Sequence, residues 1–578
     1  MRNVLRVLFV SSIVISSCQS SHAQLDQAGV DRATRETDRS IREEEQEKLR
    51  HVPESKPVIE EEPEEEDAGP KFFIKNITVE GCESIDVSEI EPEINEYENK
   101  ELSFNGLHRL SRKIQKEYLK RGIIATCVIP QQKIDTGEVI IKVIEGKMGV
   151  LSVQGNEYFL DSILAGYWDI PIGEILRYDK MVRSLELMNE NPDRDVEAQL
   201  KAGEGIGTSD IVLVSNTRFP LHATASFDKE GAVSTGRERI GLGGRHNNFL
   251  LLDDTLISGV VFGKDFQTVY AYHSIPVSRR GTTLTYGFSQ GKSSPKKEYT
   301  QYNINSRSDN WSGYLYQDLL SRGNHFVEGY AGMDFNDKVT KTVDGVFNKD
   351  RLRIVRFGLN VTTYVMGGSL YFQPEYSQGL NIFGASGKNN LSSRGASSNF
   401  SKFKINTRYI RPTPFNTKLL LVLKGQFSGE KLTPQEEMSL GGINSVRGYP
   451  SGDYFADNGI QTNVELLYPA FFIPEYIKMP FSSKPLKDQL TGNMFCDFGY
   501  GEKRGALPSE QRNATMFSLG LGARLKLYDQ VYIRFAWGVP IGHKPITEMA
   551  DSRIHFAVDF EENFLGMLVS KFKNKKTN

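Results

Sequence analysis

The spacing of apolar positions changes along the chain. Between residues 71 and 219, some segments show helical spacing and others alternate, whereas from 220 to 564 only short alternating segments remain. Alternation with a period of two is typical of half-buried strands, and spacing of three and four is typical of helices. One predicted helical face is formed by Leu107, Leu110, Ile114 and Tyr118. The pattern predicts a mixed α and β region followed by an all-β region.

The mixed region contains one order of elements twice: strand, helix, helix, strand, strand. Predicted strands cover 72–79, 125–134 and 138–145, then 149–155, 195–200 and 210–215, and predicted helices cover 87–90, 107–118, 158–164 and 178–189. The segments 77–81 and 151–155 (ITVEG and LSVQG) match closely. A repeat of about 75 residues is the mark of a duplicated structural unit. We therefore predict two α+β domains, 71–146 and 147–219.

The all-β region, 220–564, holds about 16 alternating segments separated by Gly, Asn, Asp and Ser. A tilted strand needs ~9–11 residues to cross a membrane, which leaves room here for turns and loops. The sequence is 39% hydrophobic and 10% aromatic, with a mean hydropathy of −0.40. We predict a transmembrane β-barrel of about 16 antiparallel strands, because its strands alternate between water and lipid. A soluble all-β sandwich or barrel and a β-helix are the alternatives.

Three other protein classes do not fit this sequence. So many aromatic residues argue against a disordered chain. Beyond residue 20 there is no run of 18 apolar residues, which argues against membrane-spanning helices. The net charge is −3, and the sequence contains no basic stripe interleaved with aromatic residues of the kind that a nucleic-acid-binding surface needs.

Residues 1–23 are predicted to be an export signal. Arg2 and Arg6 precede a short apolar stretch, 7–15, and Ser21-His22-Ala23 supplies small residues at the −3 and −1 positions of a cleavage site. A lipoprotein signal with Cys18 as the lipidated residue is the alternative. Export permits a disulfide between Cys82 and Cys127, although both cysteines could equally be small buried side chains.

Residues 24–70 are very polar. From Asp31 to Arg50, 13 of 20 residues are charged, and opposite charges recur three and four positions apart, which supports an isolated helix. With no apolar stripe, this predicted helix (24–50) must lie in water or in a water-filled space. Four prolines and two runs of acidic residues then predict an extended linker over 51–70.

No enzyme signature has the structural context that it needs. Residues 287–291 match Gly-x-Ser-x-Gly, but no helix follows, so we interpret them as a strand end and turn. Residues 241–244 (GLGG) lack the strand-to-helix context of a dinucleotide site. No spacing of Cys and His predicts a zinc site. We expect no catalytic residue, no cofactor and no metal.

A family resemblance lies late in the predicted barrel. The longest connection, 428–457, contains Val446-Arg447-Gly448-Tyr449, and residues 495–499 fit aromatic-x-Asp-x-Gly through Phe495, Asp497 and Gly499. Here the chain resembles the two-partner secretion transporters (TpsB, haemolysin activator family) of the outer-membrane assembly-factor superfamily. The resemblance extends over nearly the whole mature chain. It implies that 24–50 is a plug helix in the pore, that 51–70 is a periplasmic linker and that the repeats are two POTRA domains.

The resemblance also implies roles for the two motifs. Phe495, Asp497 and Gly499 share one strand face, and Asp497 points inward if Cys496 and Phe498 face lipid. Arg447 is then expected to pair with Asp497 and to hold the loop inside the barrel, while a solvated Arg447 is the alternative. The implied partners are an unfolded exported protein of the adhesin or cytolysin class, outer-membrane lipid and the barrel assembly machinery.

The implied function is passive protein secretion across the outer membrane, without nucleotide hydrolysis. The alternatives are an assembly factor that inserts other barrels and a diffusion porin. The family usually stops on its last strand, whereas here residues 565–578 form a Lys-rich tail after the predicted barrel.

Overall fold

The computed structural model describes residues 70–562, apart from 135, 206, 296–302, 323, 388–394, 480–483, 507, 509 and 528–529. The predicted export signal, plug helix and Lys-rich tail, and the linker up to residue 69, lie outside the described residues. Within them the chain forms two compact units. One comprises residues 70–219 with 251–253, and the other comprises 220–250 and 254–562.

The first unit begins with an α+β module that contains five strands and three helical segments. The strands are β1 (Phe72–Ile74), β2 (Asn76–Glu80), β3 (Lys100–Leu102), β4 (Ala125–Val128) and β5 (Glu138–Glu145). The helical segments are Val87–Glu89, Glu91–Asn95 and Phe104–Lys120. The sheet order is β2-β5-β4, with β2 parallel and β4 antiparallel to β5, and β1 pairs with β3 in a separate ribbon.

The long helix of this module forms where the sequence predicts it. The Ser103 side chain accepts a hydrogen bond from the Gly106 N–H at 3.2 Å and so caps the first turn. The predicted apolar face is buried against the sheet, and Gly122, at φ 74°, follows the helix in a conformation that favours glycine. The predicted strand 125–134 is shorter in the structure and ends at Val128, two residues before Pro130.

The second module has the same topology. It contains β6 (Lys147–Gln154), the helices Asp161–Ala165 and Tyr178–Asn189, β7 (Arg194–Ala202) and β8 (Thr208–Thr217). The sheet order is β6-β8-β7, with β6 parallel and β7 antiparallel to β8. The predicted helix over 158–164 begins later, at Asp161. The repeated element order seen in the sequence therefore corresponds to two sheets of one connectivity.

The second unit is a closed antiparallel barrel of sixteen strands, which confirms the predicted fold class and rules out the sandwich and the β-helix. Its first eleven strands are β9 (Leu221–Asp228), β10 (Arg239–His246), β11 (Thr255–Gly263), β12 (Phe266–Ser278), β13 (Thr282–Ser293), β14 (Asn305–Arg322), β15 (His325–Thr342), β16 (Gly345–Val365), β17 (Gly368–Gly379), β18 (Ser401–Thr413) and β19 (Thr417–Ser428). The long connection that follows contains a small ribbon, β20 (Met438–Leu440) with β21 (Tyr454–Ala456).

Five further strands complete the barrel. They are β22 (Asn458–Pro469), β23 (Leu490–Glu502), β24 (Asn513–Leu527), β25 (Val531–Pro540) and β26 (Arg553–Glu562), with a short helix, Leu486–Gln489, before β23. The barrel closes where β26 pairs with β9, in a register that runs from Ala557↔Asp228 to Glu562↔Ala223. Eleven strands precede the long loop, and Phe495 lies on the thirteenth.

The structure shows where the two glycine-rich motifs lie and whether the possible disulfide forms. Residues 287–291 lie inside β13 rather than at its end, and 241–244 lie inside β10, so neither motif has the turn into a helix that its chemistry requires. Cys82, Cys127 and Cys496 are free thiols, so the disulfide considered above is not formed. In the described part of the chain, no helix has both the length and the apolarity to cross a membrane.

Candidate functional site

The long loop between β19 and β22, residues 429–457, turns back on itself at its tip. Gly441 and Gly442 adopt φ values of 98° and 94°, which favour glycine. The Gly442 N–H donates to the Tyr449 carbonyl at 3.1 Å, and the Ser445 hydroxyl accepts from the Gly441 N–H at 3.1 Å. This closed turn presents Arg447 to the inner wall of the barrel.

Arg447 and Asp497 form a two-pronged ion pair. Arg447 Nε donates to Asp497 Oδ2 at 2.8 Å, and its second terminal nitrogen donates to Oδ1 at 2.6 Å. The Arg447 backbone N–H donates to the same carboxylate at 3.0 Å. Arg447 is 4% exposed and Asp497 is fully buried. A planar guanidinium matches a carboxylate in this way, so the contact fixes the direction as well as the position of the loop.

A second carboxylate and an aromatic ring complete the Arg447 site. Glu465 on β22 accepts from the remaining terminal nitrogen of Arg447 at 2.5 Å, and its other oxygen accepts from Arg524 at 2.7 Å. The guanidinium carbon lies 3.5 Å from the centroid of the Phe495 ring, a favourable position over an aromatic face. Asn463 donates to Asp497 at 2.8 Å. Two cations thus meet two carboxylates, and the buried site is electrically balanced, as burial of charge requires.

Glycines give the loop room to lie against the wall. A Cβ on Gly499 would lie 2.9 Å from Val446 Cγ2, and a Cβ on Gly538 would lie 2.8 Å from Gly448 N. Such distances are too short for real side chains, so a close approach of loop to wall depends on glycine at these positions. This is the physical reason for Gly499 in the strand motif, and Gly448 in the loop motif is restricted in the same way because its Cβ would lie 2.7 Å from Pro540 N.

The other two motif residues anchor the loop by packing. Val446 is fully buried in an apolar cluster with Leu440, Tyr454 and Met516. Tyr449 is 1% exposed, and its hydroxyl donates to the His543 carbonyl at 2.8 Å. The structure thus brings together all seven predicted site residues: Val446, Arg447, Gly448, Tyr449, Phe495, Asp497 and Gly499.

Sequence reasoning missed three residues that hold the same loop. Glu465 contacts Arg447 directly, as described above. His555 Nε2 lies 2.9 Å from the Arg447 carbonyl oxygen and joins the last strand to the loop tip. Asp453 accepts from the Ile546 N–H at 2.9 Å and from the Thr547 N–H at 2.8 Å. Only Glu465 left a signal, because it shares one strand face with Gln461 and Asn463, while the opposite face is apolar apart from Thr462.

The site is built to hold a loop. Its charged groups bond one another, and among the described residues no group of three or more His, Cys, Asp or Glu side chains is placed to hold a metal ion. A sixteen-strand barrel is wide enough for an aqueous lumen. The arrangement can therefore keep a segment of chain in that lumen and can release it when the buried ion pair breaks.

Comparison with known proteins adds two family matches. The family model described as haemolysin secretion/activation protein ShlB/FhaC/HecB matches residues 207–525, which is more than half of the chain. The model described as POTRA domain, ShlB-type, matches residues 72–146. Among curated proteins, the outer membrane transporter CdiB of Dickeya dadantii (strain 3937) is 22% identical over 391 residues, covering 65% of this chain and 69% of the relative.

Solved structures share the fold. CdiB from Escherichia coli superposes with a TM-score of 0.70 at 20% identity, covering 93% of this chain and 98% of that one. BamA from Haemophilus ducreyi lacking POTRA domains 1–3 superposes with a TM-score of 0.56 at 14% identity, covering 85% of this chain and 100% of that one.

Proposed function

Because this chain belongs to the haemolysin secretion/activation protein family, ShlB/FhaC/HecB, we propose that it secretes one exported partner protein through its barrel. It is an outer-membrane β-barrel transporter of the two-partner secretion class, with a POTRA domain on the periplasmic side. The partner is an unfolded protein of the adhesin or cytolysin class. Translocation uses no nucleotide, and folding of the partner outside the cell supplies direction.

The observation that carries this proposal is the loop in the lumen. A diffusion porin needs an open channel, whereas here the tip of the 429–457 loop is tied to the inner wall by Arg447, Asp497 and Glu465. Such a pore conducts a protein only after the loop moves, so it suits gated transport of a specific client better than free diffusion. The predicted plug helix (24–50) is the second obstacle that a client displaces.

Client capture takes place at a sheet edge. Strand β7 lies at the edge of its sheet. The Val196 N–H donates to the Asn189 side-chain oxygen at 2.7 Å, and the Val196 carbonyl accepts from the Asn189 side-chain nitrogen at 3.0 Å, so neither group bonds to β8. In an antiparallel pair, alternate residues point their backbone groups the same way. The backbone N–H and carbonyl groups of Ala198, Leu200 and Ala202 therefore also point away from β8. An extended client segment adds a strand there, and backbone bonding accepts many sequences.

A secretion assay tests the function. Cells that lack this protein are compared with cells that carry it on a plasmid, and both the culture medium and the outer-membrane fraction are analysed by quantitative mass spectrometry. The expected result is loss of one large exported protein from the surface and medium, with other barrels at normal levels. A simultaneous fall of many outer-membrane proteins would instead identify an assembly factor and would overturn the proposal.

A further inference from the structure

A second buried ion cluster lies at the stem of the same loop. Glu436 is 2% exposed, and its carboxylate accepts from Arg356 on β16 at 3.0 and 3.2 Å and from the Lys402 ammonium on β18. The Glu436 carbonyl also accepts from Lys402 at 2.9 Å and from Gln426 on β19 at 2.9 Å. One loop residue therefore contacts three strands of the wall through both its side chain and its backbone.

The wall around Glu436 carries a surplus of positive charge. Arg356 also donates to Asp334 at 2.7 Å and lies 3.6 Å from Glu375, which pairs with Lys404 at 2.5 Å. Arg356, Lys402 and Lys404 thus face two wall carboxylates, and Glu436 supplies the third. Without the loop carboxylate, a buried cation on the wall would lose its counterion, which is costly in a partly dry site.

The Arg447 site has the opposite sign. There the wall offers Glu465 and Asp497 against a single cation, Arg524, and the loop supplies the balancing positive charge. The loop therefore brings a negative charge to a positive part of the wall and a positive charge to a negative part. A docked loop that was shifted or reversed would place like charges together, and that repulsion excludes the wrong arrangement.

We propose that Glu436 is a second positioning residue for the loop and that, together with Arg447, it sets where the loop docks in the lumen. The inference rests on the proposed function, since it names a residue that controls the same gate. Loss of the Glu436 contact frees the loop stem, whereas loss of the Arg447 contact frees the loop tip. Full opening of the pore requires both contacts to break.

Accessibility of the stem to a thiol reagent tests the proposal on the purified full chain in detergent. Cys82, Cys127 and Cys496 are replaced by serine, and Ser439→Cys serves as the reporter because the Ser439 hydroxyl oxygen is buried. Glu436→Gln keeps the shape of the side chain and removes its charge. We expect the reporter to react with a maleimide at least about tenfold faster in this variant, while Glu436→Asp stays near the parent.

A double-mutant cycle separates an ion pair from a general loosening. Lys402→Met removes the wall partner, and the combined variant should react more slowly than the product of the two single effects predicts, because the charges act together. Unchanged reactivity of Glu436→Gln, or two effects that simply multiply, would overturn the proposal. If Glu436→Gln fails to assemble, Lys402→Met is compared with the parent under the same criterion.

This experiment does not depend on the identity of a client. The labelling is performed without any exported partner, so a failure of the secretion proposal leaves the result readable. Heat-modifiability of the folded barrel on a gel serves as the folding control and should be the same in every variant. An altered heat shift in Glu436→Gln would show that the barrel itself is damaged, and Lys402→Met would then be the variant that decides.

Discussion

Gly448 in the loop and Gly538 on β25 approach so closely that neither position has room for a methyl group. A Cβ on Gly538 would lie 2.8 Å from the Gly448 backbone nitrogen, and a Cβ on Gly448 would lie 2.7 Å from Pro540 N. The contact is between backbones, so no flexible side chain can move aside. Gly538 thus belongs to the loop site although it lies in neither sequence motif.

Gly538→Ala should displace the loop tip without changing a single charged residue. We expect secretion to fall toward the level of an Arg447→Ala variant while the barrel still assembles, since the strand tolerates alanine. The matched control is Gly313→Ala on β14, where an added Cβ meets no atom within 4 Å. Secretion of the partner and the heat-modifiability of the barrel are measured together. Equal secretion by the Gly538→Ala and Gly313→Ala variants would contradict the inferred close approach of Gly448 to Gly538.

Replacement of Arg447 by alanine and by lysine should separate the effect of its charge from the effect of its two-pronged contact with Asp497. Arg447→Ala leaves Asp497 buried with no cation bonded to it, a loss of about 3–5 kcal/mol in comparable buried pairs. The loop tip then has no fixed docked position from which the gate can work, so we expect secretion to be abolished with the barrel still in the membrane. Arg447→Lys keeps the charge but cannot form the two-pronged contact, so we expect a partial defect. Secretion by the lysine variant at the full level would show that charge alone suffices.

The open edge of β7 should be needed for client binding. Leu200→Pro removes one outward N–H at an edge, where proline is tolerated, and we expect weaker binding of an N-terminal client fragment to the purified protein. Leu200→Ala retains the N–H and should bind nearly as the parent does, although Leu200 is 45% exposed and its side chain adds some apolar contact. Loss of binding in both variants would point to side-chain recognition instead.

Cys127 should react slowly with alkylating reagents. Burial raises the pKa of the Cys127 thiol to about 12 from 9.0, so the thiolate fraction at pH 8 is about 1,000-fold lower than in the unfolded chain. Its alkylation rate, followed by mass spectrometry, should keep rising with pH above 9 in the folded protein. In urea the rate should level off near pH 9 instead.

The same shift has a consequence for stability. The folded thiol stays neutral while the unfolded thiol ionises above its ordinary pKa, so the contribution of Cys127 to folding is present below pH 9 and falls as the pH rises further. Cys127→Ser should reduce this loss at high pH. The melting temperature of the first module is measured above pH 9 in the parent and in Cys127→Ser. An equal decline in the two proteins would argue against this contribution of Cys127.

Most of the architecture could be predicted from the sequence because it rests on local periodicity. Sixteen strands, the position of the long loop and the repeated element order all follow from patterns within short segments. The predicted strand 72–79 is divided at Lys75 into β1 and β2, and β3, the partner of β1, was missed because its three residues are too few to show alternation. The end of β4 at Val128 reflects Pro130, whose restricted backbone outweighed the apolar residues around it.

The candidate site was only half predictable. Arg447 and Asp497 were found through motifs, but Glu436, Asp453 and His555 are single polar residues whose partners lie far away in sequence. Glu436 meets Arg356 across 80 positions and His555 meets Arg447 across 108. No spacing rule connects such residues, because only closure of the barrel brings them together.

The bond from His555 to the Arg447 carbonyl also orders events during folding. The loop tip contacts Glu465 on β22, Asp497 on β23 and Gly538 on β25, and then His555 on β26, the strand that pairs with β9 to close the barrel. Its binding surface is therefore incomplete until the C-terminal strand has been added to the sheet. Loop docking becomes a late step of biogenesis, and a half-assembled barrel keeps an unsealed interior.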